Sequence, residues 1–304
     1  MQHLQYLSPL FLSLVGGLAV GNAGVSLVWA KPALDFAAKR FMRIGVALLG
    51  LQISFHTFAE IGARGFLAIL LIVLLTFTGV RFAARRFGLG EEISMLIAGG
   101  FAICGASAIA AIGAARKSSS TAISYAIGMV TICGTLSIFV IPPITRALSL
   151  SHQTSGAWIG AAVHDVGQVI ATAGLVGGTT IKYAVVSKLT RVVLLAPLLV
   201  ILTLEGRRGG STSSKLSFKT LIPPFIAFFI LFVIINNAFT LSTSTANFFS
   251  FVSKIFLSAG IFAMATNVKF SALRTIGAKP FLFGISAWII CGGLTLGILR
   301  AVGI

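Results

Sequence analysis

The apolar residues of this chain fall in long blocks, interrupted at charges, prolines and turn-forming residues. A bilayer core needs about 20 mostly apolar residues per crossing helix. Cut at those interruptions, the chain yields ten such segments, near residues 8–29, 41–57, 64–84, 93–115, 121–145, 155–178, 183–204, 220–240, 251–270 and 279–300. The pattern predicts an all-α polytopic membrane protein of about ten transmembrane helices, folded as one domain over 1–304. The longest polar stretch, Glu205–Lys219 (EGRRGGSTSSKLSFK), reads as a flexible loop rather than a domain.

Composition agrees. Of 304 residues, 57% are hydrophobic and 10% charged, and the mean hydropathy is +1.03. A soluble domain carries roughly 25% charged residues, so a soluble enzyme is excluded. The net charge of +17 would suggest nucleic acid in a soluble chain. Here no aqueous face exists to carry a basic groove, and the Lys and Arg residues read as loops facing the cytoplasm and its anionic lipids. Counted by loop over ten crossings, fifteen of the 23 fall on one side, among them Lys31, Lys39, Arg43, Arg85, Arg146, Arg208, Lys215, Lys219, Lys269 and Arg274. That side is expected to be cytoplasmic, with both termini outside. Cys104, Cys133 and Cys291 lie in apolar runs without ligand spacing, so neither a disulfide framework nor a metal site is expected. The first apolar run has no basic residue before it, unlike a signal peptide.

Slid against itself by 215 residues, the chain matches without a gap. IGARGFL at 61–67 lies over IGAKPFL at 276–282, and Pro9, Asn22, Lys39, Phe41 and Gly45 lie over Pro224, Asn237, Lys254, Phe256 and Gly260. Gln52 falls over Asn267. The repeat halves lie around 8–68 and 223–283. Helices one to three thus map on helices eight to ten, and the odd shift of seven makes the copies antiparallel across the membrane. Inverted repeats with interrupted helices are an architecture of secondary transporters.

Polar residues at membrane depth are costly unless they pair or line a wet cavity. Five of six acids, Asp35, Glu60, Glu91, Glu92 and Glu205, fall at helix ends or in loops. Asp165 is the exception, in GAAVHDVGQVIATAG, with His164 beside it and Gln168 on the same helical face. His164 and Asp165 are candidates for carrying or gating a proton, against the alternative of a static interhelical pair. Cys104, Gly105, Ala106 and Ser107 offer little side chain, so an interruption there would present backbone amides and a positive helix end to an anion; close packing of small residues is the alternative. Lys188 and Arg191, one turn apart, could neutralise an anion, pair with Asp165, or snorkel. Gln52 and Asn267 are repeat-related polar positions, fit to line a site or to bond between helices. Phosphate-loop, HExxH and GxSxG motifs are absent, and no enzyme activity is expected.

CGASAIAA (104–111), VHDVGQV (163–169), VVSKLTRVVLLAP (185–197), FAAKRFMRIGVALLGLQISF (36–55) and FAMATNVKFSALRTIGAKPF (262–281) resemble the YeiH family of bacterial inner-membrane proteins, labelled sulfate exporters. The resemblance spans nearly the whole chain. It implies a transporter related in fold to bile-acid/sodium symporters and sodium/proton antiporters, with crossed, broken helices, and an anionic substrate such as sulfate or a sulfonate. Family members commonly begin with an additional helix, and the start at SPLFLSLVGGLAVGN agrees with an outside N-terminus. The function expected is anion export coupled to protons or sodium, with membrane lipids and a second copy of the chain as partners and without nucleic acid or cofactor. A cation/proton antiporter using Asp165, or a non-transporting membrane scaffold, are the alternatives.

Overall fold

The computed structural model describes residues 9–24, 28–208, 224–239, 241–267 and 278–304. Lys215, Lys219, Lys269 and Arg274, with most of the Glu205–Lys219 loop and the start of IGAKPFL, lie outside the described residues. Within them every regular element is helical. The helices are α1 (Pro9–Asn22), α2 (Lys31–Phe36), α3 (Met42–Leu49), α4 (Phe55–Arg86), α5 (Glu91–Ala102), α6 (Ala106–Arg116), α7 (Ser120–Ala147) and α8 (His152–Ala162), followed by α9 (Val166–Val176), α10 (Gly178–Val193), α11 (Leu195–Arg208), α12 (Pro224–Ala238), α13 (Thr243–Thr266) and α14 (Ala278–Ala301). A π-helical turn, Ala37–Phe41, joins α2 to α3, and a 3₁₀ turn, Gly50–Gln52, follows α3. Serine side chains cap the starts of α7, α8 and α13, where Ser119, Ser151 and Ser242 each accept from a backbone N–H of the first turn.

Of the ten predicted crossings, 41–57 is broken at Ile53–Ser54, with α4 beginning at Phe55, and two others fold as hairpins. Segment 93–115 is not one interrupted span: α5 and α6 double back on each other. A Cβ on Gly99 would meet the Ile112 side chain, and one on Gly100 that of Ile109; residues so far apart in sequence touch only in an antiparallel hairpin. Segment 155–178 does the same. His152, at the start of α8, lies against Gly177, just past the end of α9, and its Nδ1 is 2.8 Å from Thr180 Oγ1. Each hairpin arm has only 11 or 12 residues, which at about 1.5 Å per residue reaches only half of a ~30 Å hydrocarbon core. Hydropathy alone cannot tell two apolar half-length arms from one apolar full-length helix.

The hairpins enter from opposite ends. At one end the bundle carries the Arg81–Glu91, Arg85–Glu91 and Arg81–Glu205 ion pairs, which tie α4, α5 and α11 together. Hairpin α5–α6 enters there. At the other end the Tyr183 hydroxyl donates to Glu60 and Gln153 donates to the Glu60 carbonyl, joining α10, α4 and α8; hairpin α8–α9 enters there. The α7 helix therefore runs opposite to the direction that ten crossings imply. Arg116 and Lys117 move to the basic end and Arg146 leaves it, so the charge asymmetry grows.

Packing separates a frame from a core. In the frame, α1 packs on α13, and α3 packs on α13 and α12. In the core, α8 packs along α10, α5 on α4 and α7, and α9 on α7 and α10, with α14 against α4, α7 and α8. The α8–α10 contact is close because Gly160 has no side chain: a Cβ there would lie 2.3 Å from the Ala184 carbonyl oxygen. The core meets the frame mainly where α9 rests on α1 and α13.

Cysteines placed at Gly90 and Ser118, the two mouths of hairpin α5–α6, should react with a membrane-impermeant maleimide from the same face of sealed vesicles. Labelling from opposite faces would restore a through-going helix.

Candidate functional site

The tips of the two hairpins, Ile103–Gly105 and Val163–Asp165, meet inside the core. Gly105 turns with φ +63°, a conformation that L side chains resist, and a Cβ there would come within 3.5 Å of the His164 carbonyl. At each tip the first arm ends with unpaired carbonyls and the second begins with unpaired N–H groups. Both kinds lie buried, where neither can be left unpaired cheaply.

The carbonyls are met by α10. Lys188 Nζ donates to the carbonyls of Ile103 and Val163, at 2.8 Å each. The Arg191 guanidinium donates to Ala102 at 2.8 Å, to Gly160 and Val163 at 3.4 Å, and to Ala161 and Phe101. Both cations are wholly buried. They sit where the negative dipole ends of α5 and α8 converge, each equivalent to roughly half an elementary charge. Neither lies at ion-pair distance from Asp165, and neither lines the cavity described next.

The N–H ends of the second arms face the other way. At α9, Asp165 Oδ1 accepts from Gly167 N at 2.9 Å, and Gln168 Oε1 accepts from Asp165 N at 3.2 Å, a complete capping box. The Gln168 amide also donates to the Thr131 carbonyl at 3.0 Å and to Thr135 at 3.3 Å. At α6 the N-cap is Gly105, which brings no side chain to the end, although the Cys104 sulfur lies against the Ala108 N–H. That end opens on a cavity of about 220 Å³ whose lining includes Gly105, Ala106, Thr131, His164, Asp165 and Asn267. A smaller adjoining cavity of about 110 Å³ carries Lys39, Arg43, Ser107 and Asp165. Ala38, on the π-helical turn, borders both cavities, and π-turns inside helices often mark functional sites. His164 is 1% exposed. Neither of its ring nitrogens completes a hydrogen bond among the described residues, although the Phe101 carbonyl lies beside the ring.

The structure thus gathers Gly105, Ala106, Ser107, His164, Asp165, Gln168 and Asn267 around the two cavities. Cys104 is buried in the tip beneath them, and Lys188 and Arg191 lie behind it. Gln52 lies apart in the frame, where its Oε1 accepts from Ser250 at 3.1 Å; Asn267 donates to Asp35 at 3.2 Å. Sequence reasoning missed Lys39 and Arg43 as wall residues, having counted them as loop charges. It also read Asp165 as lying within a helix. The signal was available: Asp165 followed three residues later by Gln168 is a helix-start pattern.

A profile of the family described as Conserved hypothetical protein 698 matches residues 1–284. A UPF0324 membrane protein of Corynebacterium glutamicum is 32% identical over 289 residues, 95% of this chain and 84% of that one. The UPF0324 inner membrane protein YeiH of Escherichia coli is 32% identical over 293 residues, covering 94% and 84%. A UPF0324 membrane protein of Pseudomonas putida is 32% identical over 308 residues, covering 98% and 87%. No solved structure matches the chain.

Replacing Lys188 by Met should strand the Ile103 and Val163 carbonyls and cost on the order of 3 kcal/mol. A fall of several degrees in the detergent melting temperature is expected, with a similar fall for Arg191→Lys, which cannot span the same carbonyls. Unchanged melting in both variants would show that the tips are held otherwise.

Proposed function

The chain belongs to the UPF0324/YeiH family of inner-membrane proteins, and on that premise we propose that it is a secondary transporter of a small anion. The carrying observation is the N-terminus of α6, whose Gly105 cap brings no side chain, open to a cavity beside a buried His164 whose ring nitrogens complete no hydrogen bond among the described residues. Exposed N–H groups and a positive dipole end suit an oxyanion. Lys39 and Arg43 in the adjoining cavity add positive potential on the approach. The α9 end is already neutralised by its own Asp165, so the two half-helix ends differ, one closed by a carboxylate and one left for a ligand. Sulfate or a sulfonate fits this donor set. Protonation of Asp165 would remove the negative charge facing the anion, which is the basis for coupling its passage to a proton.

An inverted repeat supports transport over a static scaffold. At the 215-residue offset, helix starts Pro9 and Pro224 coincide, and Asn22 and Asn237 each donate to the carbonyl four residues back, at 3.0 and 2.8 Å. The cross-contacts come in matched pairs. Gln52 touches Ser250 and Asn267 touches Asp35, where 250 is 35 plus the offset and 267 is 52 plus the offset. A Cβ on Gly45 would lie 3.0 Å from Leu257 N, and one on Gly260 3.0 Å from Met42 N. Phe41 stacks edge-on against Phe256, its own counterpart, with centroids 5.2 Å apart. In the Gln52/Asn267 and Gly45/Gly260 pairs an earlier residue of one copy meets a later residue of the other, which supports antiparallel copies related by a two-fold. The central elements extend the relation: hairpin α5–α6 with α7, and hairpin α8–α9 with α10, enter from opposite ends. SYAIG at 124–128 and KYAVV at 182–186 open α7 and α10 alike.

Asp165 borders both cavities, and this favours a cation/proton antiporter as the second reading. Proteoliposomes separate the two. Radiolabelled sulfate uptake that responds to an imposed pH gradient, and loses that response in Asp165→Asn, is the expected result. Sodium- or proton-driven dye quenching without flux of any oxyanion would replace the anion by a cation.

A further inference from the structure

The hairpins enter from opposite ends, yet the structure treats their second arms differently. The α9 arm packs on α1 and α13 of the frame, whereas α6 packs on α5, α7 and α11 within the core. By the repeat, the counterparts of α1 and α13 are α12 and α3, which would receive α6 as α1 and α13 receive α9. The cavities open on the α6 side. Their frame wall includes Ala38, Lys39 and Asn267, whose counterparts at the offset of 215 are Ser253, Lys254 and Gln52.

Two of those counterparts are hard to explain in this arrangement alone. Lys254 stands at the middle of the 24-residue helix α13, exposed, at a depth where a cation is costly and marks a functional site by default. The buried Gln52 Nε2 has no hydrogen-bond partner among the described residues, an omission that burial makes costly. Ser253 is fully buried and donates to the Gly45 carbonyl at 2.9 Å, closing the α3–α13 contact in this arrangement.

We infer that Gln52, Ser253 and Lys254 form a second anion vestibule, opening at the end opposite the basic loops when the core shifts so that α6 docks on the frame and α9 leaves it. In that state Gln52 Nε2 and Lys254 face the anion as Asn267 and Lys39 do in this one. The inference rests on the transporter reading above for the identity of the ligand, but the two arrangements follow from the symmetry of the chain.

The frame–core contact supplies its own lock. A Cβ on Gly174 of α9 would lie 3.8 Å from Leu10 Cβ of α1, the mean separation across a disulfide. In sealed vesicles, Ser253→Cys should react with a membrane-impermeant maleimide from the end opposite the basic loops. In the Leu10→Cys/Gly174→Cys background, oxidation should lower that labelling by at least about tenfold, because the tie removes the state that opens the thiol, and reduction should restore it. Ala38→Cys should label from the basic end whether or not the tie is closed. Gln52→Cys is the second reporter, and monodisperse elution in detergent qualifies each variant. Labelling of Ser253→Cys from the basic end, labelling indifferent to the tie, or none at either reporter would overturn the inference. Sulfate flux is read separately: tie-sensitive labelling without flux would leave the second vestibule standing and overturn only the anion reading.

Discussion

Everything in the core depends on a problem of unpaired carbonyls. Two helices end deep inside an apolar bundle, and their last carbonyls have no residue further along the helix to bond. Water cannot serve them, and a through-going helix would remove the site with the problem. The chain supplies two cations from one neighbouring helix, Lys188 and Arg191, and directs both at the converging ends. Arg191 suits the crowded side because its planar fork reaches several acceptors at once, and Lys188 bridges the two tips as a compact point charge. With the negative ends thus compensated, the positive ends of α6 and α9 dominate the field on the cavity side. The polarity of the site follows from what lies behind it.

The division into frame and core is what the proposed second vestibule rests on. The frame is built from α1–α3, α12 and α13, and its contacts come in matched pairs. The core carries both hairpins, held together by α10. In the proposed movement α6 and α9 meet the frame in turn, and closely packed elements of this kind move between discrete arrangements rather than deforming continuously. The backbone joins frame to core through Ile53 and Ser54, where the helix is broken and Asn237 bonds both Ile53 O and Phe55 N.

Much of this was legible in the residues. Apolar blocks placed most of the helical segments, though not α2 or the break at Ile53–Ser54. Asp165 stood out because acids are rare at depth. What the sequence concealed was direction. An 11-residue arm, a three-residue tip and an 11-residue arm have the hydropathy of one long helix, so the hairpins read as crossings and α7 was reversed with them. The cap pattern at Asp165–Gln168 signalled a helix start, but a carboxylate in an apolar run suggests chemistry before it suggests a cap. Lys188 and Arg191 drew attention as possible ligands for the anion, since their charge is visible in the sequence and backbone carbonyls 25 to 90 residues away are not.

That separation also bears on how the protein is made. Hairpin α5–α6 is synthesised long before α10, and of the two only the stretch from α10 into α11, Gly178–Glu205, is long and apolar enough to cross a membrane by itself. The hairpin has arms too short to span and a tip whose carbonyls are bare, while α10 brings two charges that hydrocarbon disfavours. The cations of α10 supply what the hairpin tip lacks. In the order of synthesis the tip comes first and its partners about 85 residues later, so the tip reaches its final hydrogen bonding only once α10 is in place.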